Sequence, residues 1–227
     1  MTEQTTQKKY ELLKDDTVEH LGRTLYRIKA LITFGLVGAG QLGGYIETEK
    51  NLDHSGNAWV YGDARVYGDA CVYGNAGVYD NAWVYGNARV YGNARVYGNA
   101  RVYGKAWVFG NACVYGNAGV YGKAWVYGKA WVYGDARVYG DAWVSGDALV
   151  RSFAVISERK MIFCASNVGP KNRTLTVFNG KYGLIVTRGC FTGTVDEFLS
   201  KSKEVHDDKT HHGYKLLIEV AQSRILN

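Results

Sequence analysis

Seven basic side chains, Arg151, Arg159, Lys160, Lys171, Arg173, Lys181 and Arg188, fall between Arg151 and Cys190 against a single acid, Glu158. Uncompensated guanidinium and ammonium groups attract an anionic partner, and this run is the strongest chemical signal in the 227-residue chain. Phe178 and Tyr182 lie close by in sequence and offer the planar surface that a nucleotide needs beside a cation for its phosphate. The plainer reading of the same charges is a solvated, soluble end. The histidines, His20, His54, His206, His211 and His212, form no ligand motif, and the adjacent pair His211 and His212 would point apart on a helix. The four cysteines, Cys71, Cys113, Cys164 and Cys190, are too sparse for a disulfide scaffold and too irregular for a zinc site. No metal and no cofactor are expected, and a reducing cytoplasm fits best. An approach of Cys164 to Cys190 stays open.

A second set of candidate side chains, tryptophans and arginines, sits inside a tandem repeat. From Gly56 to Val150 the chain repeats Gly-(Asn/Asp/Lys)-Ala-x-Val-Tyr without insertion or deletion. Valine fills all sixteen of its positions and alanine all sixteen of its own, while Asp80 replaces glycine once. Phe109, Ser145 and Arg151 replace the tyrosine. A period of six is out of phase with a helix of 3.6 residues per turn, but it suits a short strand followed by a corner. Strand alternation then sends Ala and Val to one side and x and Tyr to the other. Glycine, tolerant of positive φ, makes the corner, including beside Lys105, Lys123 and Lys129. Three hexads per turn make a triangular coil of 18 residues. The sixteen hexads then make about five and a third coils, a prism roughly 25 Å long at ~4.8 Å between strands.

This pattern resembles the hexapeptide-repeat, left-handed parallel β-helix family, in which an inward aliphatic residue is followed four positions later by an inward small one, as Val60 is by Ala64. The resemblance implies left-handed coiling. The stretches TLYRIKAL and GGYIETEKNL, followed by GNAWVYGDARVYG, are similar to the start of such proteins encoded by bacteriophages and prophages. The segment GCFTGTVDEFLSKSKEVHDD resembles a C-terminal module of similar phage proteins. The acyltransferases of the family use a histidine near a subunit boundary, and its carbonic anhydrases use three zinc-binding histidines. No histidine follows His54 within the repeats, so catalysis is not expected. A transferase lacking a recognisable catalytic His is the weakest of the readings retained.

Residues 18 apart stack in such a coil, so the x positions form three columns: Trp59, Gly77, Arg95, Cys113, Trp131 and Leu149; Arg65, Trp83, Arg101, Gly119 and Arg137; and Cys71, Arg89, Trp107, Trp125 and Trp143. An aromatic face carrying Trp83, Arg101, Trp107, Trp125 and Trp143 suits stacking, cation–π contact or a protein interface. Equally, aromatic ladders can stabilise a sheet while binding nothing. Cys-Val-Tyr-Gly-Asn-Ala-Gly-Val-Tyr occurs at both Cys71 and Cys113, seven hexads apart, so duplication moves each copied side chain to another face.

Caps are expected at both ends, because open strand edges template polymerisation. Residues 1–55 form a small N-terminal β cap, 56–150 the β-helix and 151–227 a basic α+β cap. The C-terminal cap should hold four strands, in LVRSFAVI, KMIFCAS, TLTVF and GLIVTR. Two helices follow, one opened by a capping box from Thr194 to Glu197 and the other presenting Tyr214, Leu217, Ile218, Ala221 and Ile225 as one stripe. Lys and Arg against Asp and Glu number 7 and 8, 8 and 6, and 12 and 7 across the three segments. A polar start and the absence of a long apolar run point away from export or a membrane span.

The sequence therefore points to a mainly β, non-enzymatic scaffold that associates with itself as a trimer or dimer and binds a partner. The partner is a host protein or an anionic small molecule or nucleotide, and the alternative function is sequestration of such a nucleotide signal, an anti-defence role. Nucleic acid is disfavoured because the array's basic residues are interspersed with acids.

Overall fold

A computed structural model describes residues 8–227; the polar start, residues 1–7, lies outside them. Its centre is a parallel β-solenoid of about six turns. Sixteen two-residue strands recur every six residues, from Trp59–Val60 to Leu149–Val150. Each but the last two pairs with the strand 18 residues on, Val84 with Val102 and Val102 with Val120, building the three parallel faces of the prism.

The inward residues follow the alternation. Val60 to Val150 and Ala58 to Ala148 are buried to 1 % or less, filling the prism with small, closely fitting side chains. At the corners the glycines carry positive φ, between +60° and +73° from Gly56 to Gly146. Close stacking makes the same demand, since a Cβ on Gly104 would lie 3.0 Å from the backbone nitrogen of Gly122. Asp80, at φ +58°, takes the glycine conformation, and its carboxylate accepts the Gly98 amide at 3.0 Å.

The solenoid outruns the perfect repeat at both ends. After Val150, Ser152 takes the corner at φ +60°, Ala154 and Ile156 turn inward, and Val155–Ile156 pairs with Arg137–Val138. The segment read as the first strand of the C-terminal cap is thus a seventeenth rung written in different residues. Before Gly56, Ile46 pairs with Val66 and Leu52 with Val72.

The N-terminal cap is a hairpin, β1 (Tyr10–His20) with β2 (Arg23–Ala30), joined edge-on to β3 (Leu42–Ile46), which enters the solenoid sheet. Leu21 and Gly22, both at positive φ, make its turn. The first strand runs on through Lys14–His20 past a register shift between Leu13 and Thr17. The prism is plugged here by Tyr10, whose hydroxyl donates to the Leu52 carbonyl at 2.6 Å, and by Lys9. The Lys9 ammonium donates to the Ala58 carbonyl at 3.0 Å, and burial pulls its pKa down to about 8. Trp59, expected to face outward, is fully buried beneath Phe34 and Tyr10, because the cap wraps over the first rung.

At the other end Ile162–Val168, Arg173–Gly180, Gly183–Arg188 and Phe191–Thr194 form an antiparallel four-stranded sheet, its last strand not anticipated from sequence. Helices Val195–Val205 and Asp208–Leu226 pack on it. Thr194 caps the first, accepting the Glu197 amide at 3.3 Å while the Glu197 carboxylate accepts the Thr194 amide at 2.7 Å. Tyr214, Ile218, Ala221 and Ile225 are buried as the stripe requires, with Leu217 packed alongside. No helix among the described residues is long and apolar enough to cross a membrane.

Candidate functional site

The three faces of the prism carry the residues singled out above, and stacking decides what each can do. Outward rings of adjacent coils lie one above another because their backbones are hydrogen-bonded in register. On the face of the second column the phenols run Tyr67, Tyr85, Tyr103, Tyr121, Tyr139, with centroids 4.8–5.0 Å apart and planes within 6°. Tyr97, Tyr115 and Tyr133 stack in the same way, as do Tyr73, Tyr91, Phe109 and Tyr127. Corner amides form parallel ladders, with Asn57, Asn75, Asn93 and Asn111 bonded in series and Asn99 and Asn117 leading to Asp135.

The tryptophan column comes together as its spacing demanded. Trp107 lies 5.1 Å from Trp125 and Trp125 lies 5.3 Å from Trp143, nearly parallel. Arg89 covers the lower ring at 5.1 Å and Arg159, from the C-terminal cap, the upper one at 3.5 Å. The result is one cation–π-terminated stack whose π faces are occupied by the chain itself. Trp83 is likewise held between Arg65 at 5.2 Å and Arg101 at 5.5 Å, while His20 of the N-terminal hairpin meets its edge at 4.5 Å. Sequence reasoning put Trp83 between these arginines but missed the hairpin, whose charged second half gave no sign of folding over this face.

The basic candidates of the C-terminal cap, Arg159, Lys160, Lys171, Arg173, Lys181 and Arg188, are not gathered into one pocket. Arg159 is taken up by Trp143, and Lys160 donates to the Asn227 carbonyl at 3.4 Å. Arg188 donates to the Val168 carbonyl at 3.1 Å and lies over the Tyr214 ring at 4.9 Å, holding sheet to helix. Arg173 lines a cleft of about 430 Å³ with Trp131 and Thr174 above the first column. Lys181 lines another, also about 430 Å³, with Arg137 and Phe153 above the second. Lys171 is exposed. Phe178 is fully buried as a plug in the end of the prism, so of the two aromatics picked out near this cluster only Tyr182 is exposed. All four cysteines are free thiols, Cys164 and Cys190 included.

The second column's face holds a groove. Cavities of about 480 and 540 Å³ follow one another along Arg65, Trp83, Arg101, Gly119 and Arg137, and the cleft at Lys181 continues them. Tyrosine rings form one wall and Asn99, Asn117 and Asp135 the other. This groove was legible as a column of x residues, but its walls depend on ladders that only stacking creates.

Stacking also fixes how the protein meets alkali. Burial raises the pKa of Tyr61, Tyr67, Tyr73, Tyr85, Tyr91, Tyr97, Tyr103 and Tyr121. Tyr115 is pushed up to about 12, by burial first and then by the neighbouring Tyr133 and Tyr97 phenols. A phenol whose folded pKa exceeds its unfolded value of 10.0 adds stability that is complete below pH 10 and lost as pH rises through the folded value. We expect the solenoid to melt cooperatively between about pH 10 and 12, with tyrosinate absorbance rising in step with loss of circular dichroism. A Tyr115 phenol that ionises at the usual tyrosine pH, well before unfolding, would contradict its burial in the stack.

Compared with known families, the repeats match the YdcK beta solenoid repeat over residues 58–74, 64–80, 82–96, 94–110 and 130–146. No curated protein matches the chain.

Proposed function

We propose that this β-solenoid repeat protein is a non-enzymatic, self-associating scaffold, a rigid prism whose flat faces carry protein contacts in a reducing cytoplasm. The observation that carries the reading is the division of labour between ends and faces. Both ends are sealed by caps, whereas the faces stay planar, hydrogen-bonded in register and surfaced with stacked rings and guanidinium groups. Aromatic rings and arginine are the side chains enriched where proteins meet, and rigid stacks lose little conformational entropy on docking. Trp131 remains 44 % exposed beside the Tyr115–Tyr133 stack, and Leu216 and Val220 form a half-exposed outer stripe on the last helix. The four free thiols support a reducing compartment, and the phage-like wording of the flanks supports a bacterial host as the setting.

Light scattering at high micromolar concentration should give a dimer or trimer of the 25.1 kDa chain. Trp131→Lys should shift that equilibrium toward the monomer while leaving the melting temperature within a few degrees, because the side chain points away from the core. A monomer at that concentration would end the self-association reading.

A further inference from the structure

One layer of side chains is missing from the groove. The second column reads Arg65, Trp83, Arg101, Gly119, Arg137, and its lower part is a closed sandwich, indole between two guanidinium groups. Its upper part repeats the two arginines but has nothing between them. Adjacent coils lie ~4.8 Å apart, so Arg101 and Arg137 leave about 9.6 Å between their backbones, the spacing that Arg65 and Arg101 use to hold Trp83.

The fold does not require glycine at this position. Gly119 has no positive φ, and an added Cβ would meet only the Tyr121 ring, at 3.6 Å or beyond. Glycine in a strand weakens it and marks a place where something else approaches. Gly77, its counterpart in the duplicated stretch, is different, because the Tyr79 ring occupies the space where its side chain would be. The 42-residue copy step landed Gly119 on another face, where its gap stays open as a cavity of about 540 Å³, within the range of small-molecule sites. The guanidinium groups of Arg101 and Arg137 make no ion pair or hydrogen bond among the described residues, although their backbone amides are bonded in the ladder. Asp135 accepts the Asn117 amide with one carboxylate oxygen, leaving the other for an N–H on a ring edge.

We propose that the Gly119 gap binds a fused bicyclic heteroaromatic ring bearing an anionic group, as in a purine nucleotide, sandwiched between Arg101 and Arg137. The fused-ring footprint follows from the indole two layers below, which fills the equivalent place between Arg65 and Arg101. The anionic substituent follows from two guanidinium groups without an acidic partner and from Lys181, which lines the adjoining cleft with Arg137. This goes beyond the scaffold reading and does not depend on the oligomeric state.

The test is calorimetric titration of the full chain with GMP and AMP, with guanosine and inorganic phosphate as separate arms. Saturable binding of a nucleotide, at least about tenfold tighter than of either fragment, is expected. Gly119→Trp should build the missing layer from within, abolish that binding and leave the melting temperature unchanged or raised; Gly119→Leu serves the same purpose should the indole misfold. Arg137→Gln should weaken binding about tenfold without changing the oligomeric state. No saturable binding of either nucleotide, equal binding of phosphate alone, or binding that survives the filled layer would overturn the inference. An oligomer that binds neither nucleotide overturns this site alone, whereas a monomer that binds GMP overturns the self-association reading alone.

Discussion

Val102→Asp is expected to leave no intact solenoid. Val102 is fully buried at mid-array, paired with Val84 below and Val120 above, so its side chain has no route to water. Losing the valine removes about 1.5–3 kcal/mol of burial. The carboxyl that replaces it must stay neutral, and a shift of about 3–5 pKa units at ~1.4 kcal/mol each adds ~4–7 kcal/mol. Together these rival the ~5–15 kcal/mol by which ordinary domains are stable. A solenoid holds each coil through its neighbours alone, so one failed rung separates the array into two parts, each with an open edge. Circular dichroism melts and limited proteolysis around residue 102 should show the loss. A soluble variant with an unchanged melting temperature would mean that the valines do not face inward.

Removing residues 158–227 should convert the protein from a discrete particle into one that stacks end to end. The C-terminal sheet satisfies the backbone of the last coil with specific groups. The Thr187 hydroxyl donates to the Leu149 carbonyl at 2.6 Å, and the Leu149 amide donates to the Thr176 hydroxyl at 3.3 Å. The Asn179 side-chain amide donates to the Val155 carbonyl at 3.1 Å, and the Lys181 backbone amide to the Phe153 carbonyl at 2.9 Å. Each polar group stranded without a partner costs about 1–3 kcal/mol. Loss of the Phe178 plug also opens the apolar bore. Another solenoid end offers both hydrogen bonds and apolar cover, so association is the available remedy. Light scattering should show open-ended growth with time and concentration for the truncated chain and none beyond a dimer or trimer for the intact one. A truncated protein that stays monodisperse would show that the cap is not an edge block.

How far the sequence reaches can be judged residue by residue. The three columns of x residues, the inward Val and Ala, the glycine corners and the Thr194 capping box could all be read from spacing, because each depends on neighbours fixed by the chain or by a strict 18-residue turn. Sequence also placed Trp83 between Arg65 and Arg101 and stacked Trp107, Trp125 and Trp143. It did not locate the end of the solenoid. Ser152, Phe153 and Ile156 fill the corner and core slots of another rung in different letters, and only backbone pairing identifies them as equivalent.

The candidate site divides along the same line. Charge density between Arg151 and Cys190 suggested one basic pocket, yet Arg159, Arg173 and Lys181 sit above three different faces, because the sheet that carries them lies across the end of a triangular prism. Arg188 and Phe178 look like ligand contacts in the sequence and serve as packing in the fold. Trp59 follows the repeat perfectly and is nonetheless buried, since the cap folds back over it.

Periodicity by itself determined the solenoid, its core and the order of residues along each face, because hydrogen-bonded stacking forces residues one turn apart into contact. Which of those residues remain available was decided only by tertiary structure. Caps cover some, ladders use the π faces of others, and the open layer at Gly119 exists because a copied glycine came to rest between two arginines instead of beside a tyrosine that fills its space.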